Sequence, residues 1–247
     1  MDEERTLVAH LEDLRGVVLA SISVFGFCFV AFLLSIQHTI PLITQGRQLV
    51  MLSPLDVVRF YASVAGGLSL GVSAPFIGYR LWRFVRPALT AQESRAALTY
   101  IPAMFLSFAL GIAFGFFVVF PFAFRFLTAL GASHFTVMVT TQEYLSFLLM
   151  TTLPMGFLFE VPFVLMFLTA TGMVTPDKLK AVRKYAYLLF AVVSAIVTPP
   201  EFVSQLLVLF PLFALYELGL VLTRWVYRKQ QRGEGDMLEG EAVPEGD

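Results

Sequence analysis

The residues of this sequence that could do chemistry are a few carboxylates, and the most unusual of them is Glu160. It lies in the stretch FEVPFVLMF, residues 159–167, where an acid and a proline interrupt an apolar run. Pro162 has no amide hydrogen, so the carbonyl of Leu158 loses its usual helical donor. A neutral Glu160 could donate to a carbonyl freed in this way, or it could contact a cavity or a partner helix. We favour the second interpretation, because acids deep in apolar segments are costly and commonly functional.

Other carboxylates have structural explanations as well as functional ones. Glu93 is the third residue after Thr90, the spacing of a capping box, in which the acid bonds the first amide of a helix. Asp13 precedes the first apolar segment and would lie on a solvated face. Glu217, near the end of an apolar stretch, could extend to the membrane surface. Acids on a basic face could nevertheless bind arginine guanidinium groups in bidentate fashion. The capping-box spacing also starts at Ser53, Thr140 and Thr198.

No combination of residues typical of an enzyme occurs in the sequence. The three histidines, at positions 10, 38 and 134, lack the spacing of metal ligands, and there is no Gly-x-Ser-x-Gly or phosphate-binding loop. No apolar segment carries the serine and histidine, or the two aspartates, of an intramembrane protease. We therefore expect no catalytic residue, no metal and no cofactor. Without a basic stripe there is also no reason to expect nucleic acid as a partner.

Composition identifies the surroundings of these carboxylates. Hydrophobic residues make up 57% of the 247 residues and charged residues only 14%, against roughly a quarter in soluble domains. Six apolar segments reach or approach the ~20 residues that cross a bilayer. They are residues 16–36, 62–81, 97–120, 144–171, 185–197 and 202–223. The sequence predicts an all-α integral membrane protein with six transmembrane helices.

The fifth and sixth segments form a hairpin with a short first arm. Only four residues, Thr198 to Glu201, join them, so the two segments must run antiparallel. At 1.5 Å per residue the fifth segment would span roughly 20 Å, less than the ~30 Å hydrocarbon core. Such a hairpin should thin the bilayer beside it. Its polar residues satisfy the local backbone or dock another transmembrane helix. These residues are Thr198, Ser204 and Gln205.

Basic residues predict the orientation. With the N-terminus in the cytoplasm, fourteen of the seventeen Lys and Arg residues fall on the cytoplasmic side, and only Arg47, Arg59 and Arg125 on the other. Such a bias predicts that both termini are cytoplasmic. Residues 1–15 would form an amphipathic lead-in and residues 16–228 the transmembrane domain. The acidic tail, residues 229–247, is expected to be disordered.

Several short motifs occur in a fixed order along the chain. They are HLEDLR (10–15), SAPFIGYRLWRFVRPAL (73–89), QESR (92–95), FP (120–121), FEVP (159–162) and TPPEFVSQ (198–205). Together, on six segments with this topology, they resemble the TatC family, the multispanning receptor subunit of the twin-arginine protein translocase. The resemblance covers residues 7–228.

The resemblance implies a fold and a function. The fold would be a cupped, glove-shaped bundle of six helices, with helices five and six short. The protein would lie in the cytoplasmic (inner) membrane and bind the paired-arginine signal peptides of folded cargo at its cytoplasmic face. It would have no ATPase activity. It would assemble with single-span TatA and TatB partners into a multimeric complex, and the proton-motive force would drive transport.

The resemblance also implies a recognition site for the signal peptide. Glu93 matches the loop glutamate that contacts the signal arginines, and Asp13 would assist it. Asp13 stands where the family usually has glutamate, which is one methylene longer. Phe84 and Arg95 match further residues of the recognition site. Only guanidinium offers the planar fork that carboxylates bind bidentately, which would explain a preference for arginine over lysine.

The resemblance also implies roles for positions outside this recognition site. Glu160 matches an intramembrane glutamate that faces the concave side of the bundle. The hairpin residues Thr198, Ser204 and Gln205 would lie where partner helices dock. Pro41 matches a functionally sensitive proline of the first outer loop. Glu201 replaces a common aspartate of the hairpin turn.

Two other functions are open to the residues alone. A proton-coupled secondary transporter could use Glu160 as its titrating group, but it would favour matching broken helices in both halves of the chain. The fourth segment is interrupted by a proline, but we find no matching counterpart in the other half of the chain. An intramembrane hydrolase would need a nucleophile that no apolar segment supplies. We therefore expect a translocase receptor.

Overall fold

The computed structural model describes residues 2–85, 91–132, 136–170, 172–198 and 202–241, and this part of the chain is almost wholly helical. The helices are α1 (Asp2–Leu34), α2 (Ile36–Thr44), α3 (Pro54–Val85), α4 (Ala91–Phe114), α5 (Phe120–Ala132), α6 (Thr141–Phe159), α7 (Val161–Ala170), α8 (Pro176–Ala181), α9 (Arg183–Val197) and α10 (Phe202–Glu241). A π turn, Gly115–Val119, joins α4 to α5. The all-α prediction is confirmed for the described residues.

Five helical stretches of the described residues are long and apolar enough to cross a membrane. They are Leu14–Leu34, Pro54–Arg80, Pro102–Ala132, Thr141–Ala170 and Gln205–Arg228. The predicted fifth segment corresponds to α9, whose 15 residues would span roughly 22 Å. Helix α9 is therefore short, as predicted. The prediction that the sixth helix is also short is wrong, because α10 has 40 residues.

Contacts along α9 and α10 confirm the antiparallel hairpin. Arg183, at the start of α9, bonds Glu217, well along α10. Gln205, at the start of α10, donates to the carbonyl of Ala191, late in α9. The Thr198 hydroxyl donates to the Ser194 carbonyl, 2.6 Å away, and so closes the last turn of α9. The capping box predicted from Thr198 involves Glu201, which lies outside the described residues, so it stays a prediction.

The two ends of the chain differ from expectation. The lead-in was predicted over residues 1–15. In the structure, this segment from Asp2 onwards is the first part of the continuous helix α1. Helix α10 continues to Glu241, whereas disorder is the sequence-based expectation from residue 229. Lengthening an existing helix needs no new nucleus, and Lys, Arg, Gln and Glu are good helix formers. Residues 242–247 lie outside the described part.

The third span also extends beyond its predicted end at Phe120. Helix continues through α5 to Ala132, although Pro121 has no amide to donate. The π turn lies directly before this proline, and the amide of Phe120 closes it on the carbonyl of Gly115. A wider turn at this point accommodates the proline without ending the helix. The connection that was expected from residue 121 is therefore shorter.

Two clusters of buried side chains hold the helices together. The first cluster joins α2, α3, α5 and α6 around Phe120, Tyr144 and Leu148. The second cluster joins α8, α9 and α10 around Leu212 and Tyr216 and reaches Met155 of α6. Helix α6 packs mainly on α3 and α4, whereas α7 packs mainly on α10. The fourth span therefore contributes to both clusters, and its main partner helices change from α3 and α4 to α10 at its break.

Residues 35–53 and 136–140 form a structured cap at one end of the bundle. Val50 and Thr140 make a bridge, in which the amide of Val50 donates to the Val139 carbonyl and the amide of Thr141 to the Val50 carbonyl, both 3.0 Å. Pro41 lies exposed within α2 of this cap. One of the two hydrogen bonds of the capping box predicted at Thr140 is present, since its hydroxyl accepts from the amide of Glu143. The cap therefore joins the segment between α2 and α3 to the start of α6.

Candidate functional site

The central feature of the candidate site is a helix break at Glu160. Helix α6 ends at Phe159 and α7 begins at Val161. Pro162 cannot donate, and the amides of Phe163 and Val164 both bond the Glu160 carbonyl, each at 3.0 Å. In a regular helix the amide of Phe163 would have bonded the carbonyl of Phe159. The break therefore frees this carbonyl as well.

A side chain from another helix satisfies the carbonyl of Phe159. Ser107 of α4 donates its hydroxyl to this oxygen over 2.7 Å. Glu160 itself does not donate to a freed carbonyl, because both of its carboxylate oxygens are buried with no hydrogen-bond partner in the described part of the chain. The amide of Phe108 faces the carboxylate, but no hydrogen bond of acceptable geometry forms between them. The interpretation in which Glu160 serves the distorted backbone is therefore wrong in this conformation.

Glu160 is one of the residues that line a cavity of about 120 Å³. Helix α3 contributes Pro75 and Tyr79 to its wall, and α4 contributes Phe105 and Phe108. Its lining is apolar apart from Glu160 and the tyrosine hydroxyl. Such a site can accept a hydrogen bond or a positive charge from a bound segment. The arrangement therefore suits binding.

The cavity lies a short way into the bundle from the ends that carry the predicted signal-peptide residues. Phe84 occupies the last turn of α3, five residues beyond Tyr79, which is roughly 8 Å along the helix. Glu93 and Arg95 lie in the first two turns of α4. Asp13 lies in α1. The side chains of these four predicted residues are outside the described part of the structure, so their mutual contacts stay predictions.

The predicted docking residues at the hairpin are placed only in part. Thr198 is buried, and its hydroxyl bonds within α9. Gln205 is half-buried, and its amide nitrogen lies 3.4 Å from the carbonyl of Ala191. The side chain of Ser204 and the whole of Glu201 lie outside the described residues. Both described side chains therefore satisfy the hairpin backbone.

Sequence reasoning missed two polar contacts that the structure reveals. Ser107 is a serine in an apolar helix, and nothing in its neighbourhood predicts a partner 52 residues away. Glu217 does not extend alone to the membrane surface, because it accepts hydrogen bonds from Arg183 and Tyr187. That pairing could have been found from the hairpin register, because residues 183 and 217 lie equally far from Pro200.

Comparison with known proteins agrees with this architecture. The family model described as "Sec-independent protein translocase protein (TatC)" matches residues 9–211. The chain is 40% identical to the Sec-independent protein translocase protein TatCd of Bacillus subtilis, over 95% of this chain and 98% of that protein. It is 36% identical to the TatC protein of Halalkalibacterium halodurans, over 94% of each chain.

Solved structures match the helical arrangement. A crystal structure described as the twin arginine translocase receptor TatC in DDM superposes with a TM-score of 0.72 at 31% identity. The match covers 87% of this chain and 99% of that one. A second crystal structure of such a receptor gives a TM-score of 0.68 at 30% identity. The family is one of protein transport and not of enzymes. This multispanning membrane protein therefore belongs to the TatC family of Sec-independent protein translocase components.

Proposed function

We propose that the chain is the receptor of a twin-arginine translocase and binds the paired-arginine signal peptides of folded proteins. The observation that carries this proposal is Glu160, a residue of the cavity wall whose carboxylate is buried with no hydrogen-bond partner among the described residues. An unsatisfied buried acceptor costs free energy while it has no partner. A bound segment that brings a donor removes this cost. Glu160 is therefore suited to contact a docked segment at membrane depth.

The positions of the helices give a route for such a segment. Along α4, Glu93 precedes Met104 of the cavity wall by eleven residues, which is roughly 17 Å. Phe84 lies at the end of α3, close in sequence to the start of α4. A peptide whose arginines are held near Glu93 could continue into the membrane beside α3 and α4. Its apolar part would then pass the cavity at Glu160.

Recognition of the arginines is assigned to the cytoplasmic ends of the helices. Glu93 would bind one guanidinium group bidentately, and Asp13 would assist it. Phe84 would pack against the peptide, and Arg95 would complete the site. Lysine would bind less well, because an ammonium group lacks the planar fork. This recognition step needs no nucleotide.

The proposed membrane arrangement has six spans with both termini in the cytoplasm. Helix α9 is the short fifth span and pairs with the long α10. A span of roughly 22 Å in a hydrocarbon core of ~30 Å would thin the bilayer locally. The bundle would be cupped, with Glu160 on its concave side, in the cytoplasmic (inner) membrane. Folded cargo would cross beside it, driven by the proton-motive force.

Single-span partners of the TatA and TatB type would dock at the hairpin and at the cavity. The Gln205 side chain is half-buried, and its carbonyl oxygen could accept a hydrogen bond from a docked helix. Thr198 supports this surface by closing the end of α9. Ser204 and Glu201 would lie at the same end of the hairpin, and Pro41 would shape the outer cap. Several copies would assemble into the working complex.

Binding of a labelled twin-arginine peptide to the protein in nanodiscs tests the recognition site. Glu93→Gln should weaken binding about tenfold or more, because a bidentate bond to a charged group contributes roughly 1.5–3 kcal/mol. Glu143→Gln is the matched control, since Glu143 is an exposed acid at the start of α6. It should bind the peptide normally. Undiminished binding by a folded Glu93→Gln protein would overturn the assignment.

Photocrosslinking tests the cavity separately. A photoreactive residue in place of Phe105 should crosslink to the apolar part of the signal peptide or to a single-span partner. Glu160→Gln should lower the yield, since the amide is a weaker acceptor than the carboxylate. Export of a twin-arginine reporter should fall with it. Unchanged crosslinking and unchanged export would remove Glu160 from the proposal.

A further inference from the structure

The helix break at Glu160 has a support that does not belong to the fourth span. The hydroxyl of Ser107 donates to the carbonyl of Phe159 over 2.7 Å, and the two residues are 52 positions apart. Each lies next to a residue of the cavity: Ser107 precedes Phe108, and Phe159 precedes Glu160. The hydrogen bond therefore joins two walls of the cavity directly beside the carboxylate.

This bond differs from the usual use of hydroxyl groups in these helices. Ser69 donates to the carbonyl of Ala65, four residues back in α3. Thr151 donates to Phe147, four residues back in α6. Such bonds satisfy a hydroxyl within its own helix and connect nothing else. Ser107 instead crosses from α4 to the end of α6, where the break has left a carbonyl without its amide.

The packing of the fourth span explains why the end of α6 needs such support. Helix α6 lies closely against α4, since a Cβ at Gly111 would sit 2.5 Å from the carbonyl oxygen of Met155 and 2.9 Å from Cα of Gly156. Helix α7 instead packs mainly on α10. At Glu160 the chain therefore passes from a helix packed on α3 and α4 to a helix packed on α10. If α7 moved with α10, Glu160 would be displaced as well.

We infer that Ser107 is a positioning residue for Glu160. Its hydroxyl holds the last carbonyl of α6 against α4, so Glu160 keeps its place in the cavity wall while α7 follows α10. The inference rests on the proposed role of Glu160 in docking. The signal peptide or partner helix would meet a carboxylate at a fixed position, and not one that moves with the hairpin.

The bond itself can be observed in the full-length protein by solid-state NMR. Phe159-Glu160 is the one Phe-Glu pair in the sequence, so labelling Phe with ¹³C at the carbonyl and Glu with ¹⁵N selects this peptide bond alone. Ser107→Ala should move the Phe159 carbonyl resonance upfield, because a lost hydrogen bond deshields the carbon less. Ser107→Thr keeps the hydroxyl and should restore the wild-type position. Ser69→Ala removes a buried hydroxyl elsewhere and should leave it unchanged.

A docking measurement on the same variants separates positioning from backbone satisfaction. With the photoreactive residue at position 105, Ser107→Ala should lower the crosslinking yield several-fold, and Ser107→Thr should recover it. Binding of the signal peptide through its arginines should not change, since Glu93 lies more than three turns away along α4. If Ser107→Ala does not fold, Ser107→Cys, a weaker donor of similar size, should give intermediate shifts and yields.

Each result bears on the inference. An unchanged Phe159 resonance in Ser107→Ala would overturn it. A shifted resonance with normal crosslinking would also overturn the positioning role, and the docking role of Glu160 would stand if Glu160→Gln still lowered the yield. If Glu160→Gln and Ser107→Ala both crosslink normally, the docking role and the positioning role fail together. A shifted resonance with a reduced yield that Ser107→Thr restores would support the inference.

Discussion

Arg183 and Glu217 form an ion pair between the two arms of the hairpin, with Nη2 of the arginine 2.7 Å from Oε2 of the glutamate. The second carboxylate oxygen accepts a hydrogen bond of 2.5 Å from Tyr187. The ring of Tyr187 also packs on Phe213, with centroids 4.4 Å apart. One carboxylate of α10 is therefore held by two residues of α9, one helical turn apart. This contact fixes the short helix α9 against its long neighbour.

The ion pair should contribute measurably to stability. A double-mutant cycle with Arg183→Ala and Glu217→Ala should give a coupling energy of about 1 kcal/mol in thermal unfolding of the purified protein. A larger value is not expected, because the two side chains are 36% and 41% exposed. The pair Arg59 and Asp56 is the control, since its nearest atoms are 3.9 Å apart and the arginine is 67% exposed. It should show no coupling, and equal coupling in both pairs would contradict the prediction.

Replacing Gly111 should loosen the contact between α4 and α6. A Cβ there would meet the Met155 carbonyl oxygen and the Gly156 Cα, both backbone atoms of α6. Because backbone cannot rotate away, Gly111→Ala should cost roughly 1–3 kcal/mol, the range found for overpacked sites. Gly26→Ala is the matched control, since a Cβ at Gly26 meets nothing within 4 Å. Unfolding midpoints that fall equally in both variants would show that helix approach is not the cause.

The general architecture was predictable because membrane helices are long and apolar. Their existence, order and hairpin follow from the hydropathy of the segments and the four-residue turn at Thr198. The ends of the helices were less predictable. Pro121 is a strong signal for a helix end, yet a π turn carries the helix past it. The tail beyond residue 229 has the composition of a disordered segment, yet it extends a helix that already exists.

The candidate site was likewise predictable from the sequence only in part. Glu160 was predictable, because an acid beside a proline in an apolar run is a local signal. Its relation to Ser107 was not, because that hydrogen bond depends on how two spans cross. The pairing of Arg183 with Glu217 lies between these cases, since the antiparallel register brings the two residues level but does not show that their side chains meet. Contacts between elements therefore needed the three-dimensional structure.

Removing the hydroxyl of Tyr144 should weaken the cap formed by α2 and the start of α6. This ring is fully buried, and its hydroxyl donates to the carbonyl of Ile43 at 2.8 Å. Tyr144→Phe leaves that carbonyl buried without its donor, which should cost roughly 1–3 kcal/mol in thermal unfolding. Tyr185→Phe is the control, because its side chain is 62% exposed. A Tyr144→Phe protein as stable as this control would show that the hydrogen bond contributes little.

The helix break at Glu160 should be needed for export but should not increase the stability of the fold. Pro162→Ala supplies an amide that can bond the carbonyl of Leu158, and alanine is favoured over proline inside a helix by roughly 3 kcal/mol. Continuous helix from α6 into α7 would then compete with the break and turn the Glu160 carboxylate away from the cavity. The unfolding midpoint of Pro162→Ala should therefore be at least that of the wild type, while export of a twin-arginine reporter falls.

Pro154→Ala is the control for this last prediction, because Pro154 lies within α6 and away from the break. It should alter stability in the same direction and leave export intact. A Pro162→Ala protein with lower stability and lower export would indicate lost packing, since Cα of Pro162 lies where a side chain at Gly219 would contact it. Higher stability with undiminished export would show that the break is not required. Opposite changes in the two measurements are expected only if the break itself positions Glu160 for docking.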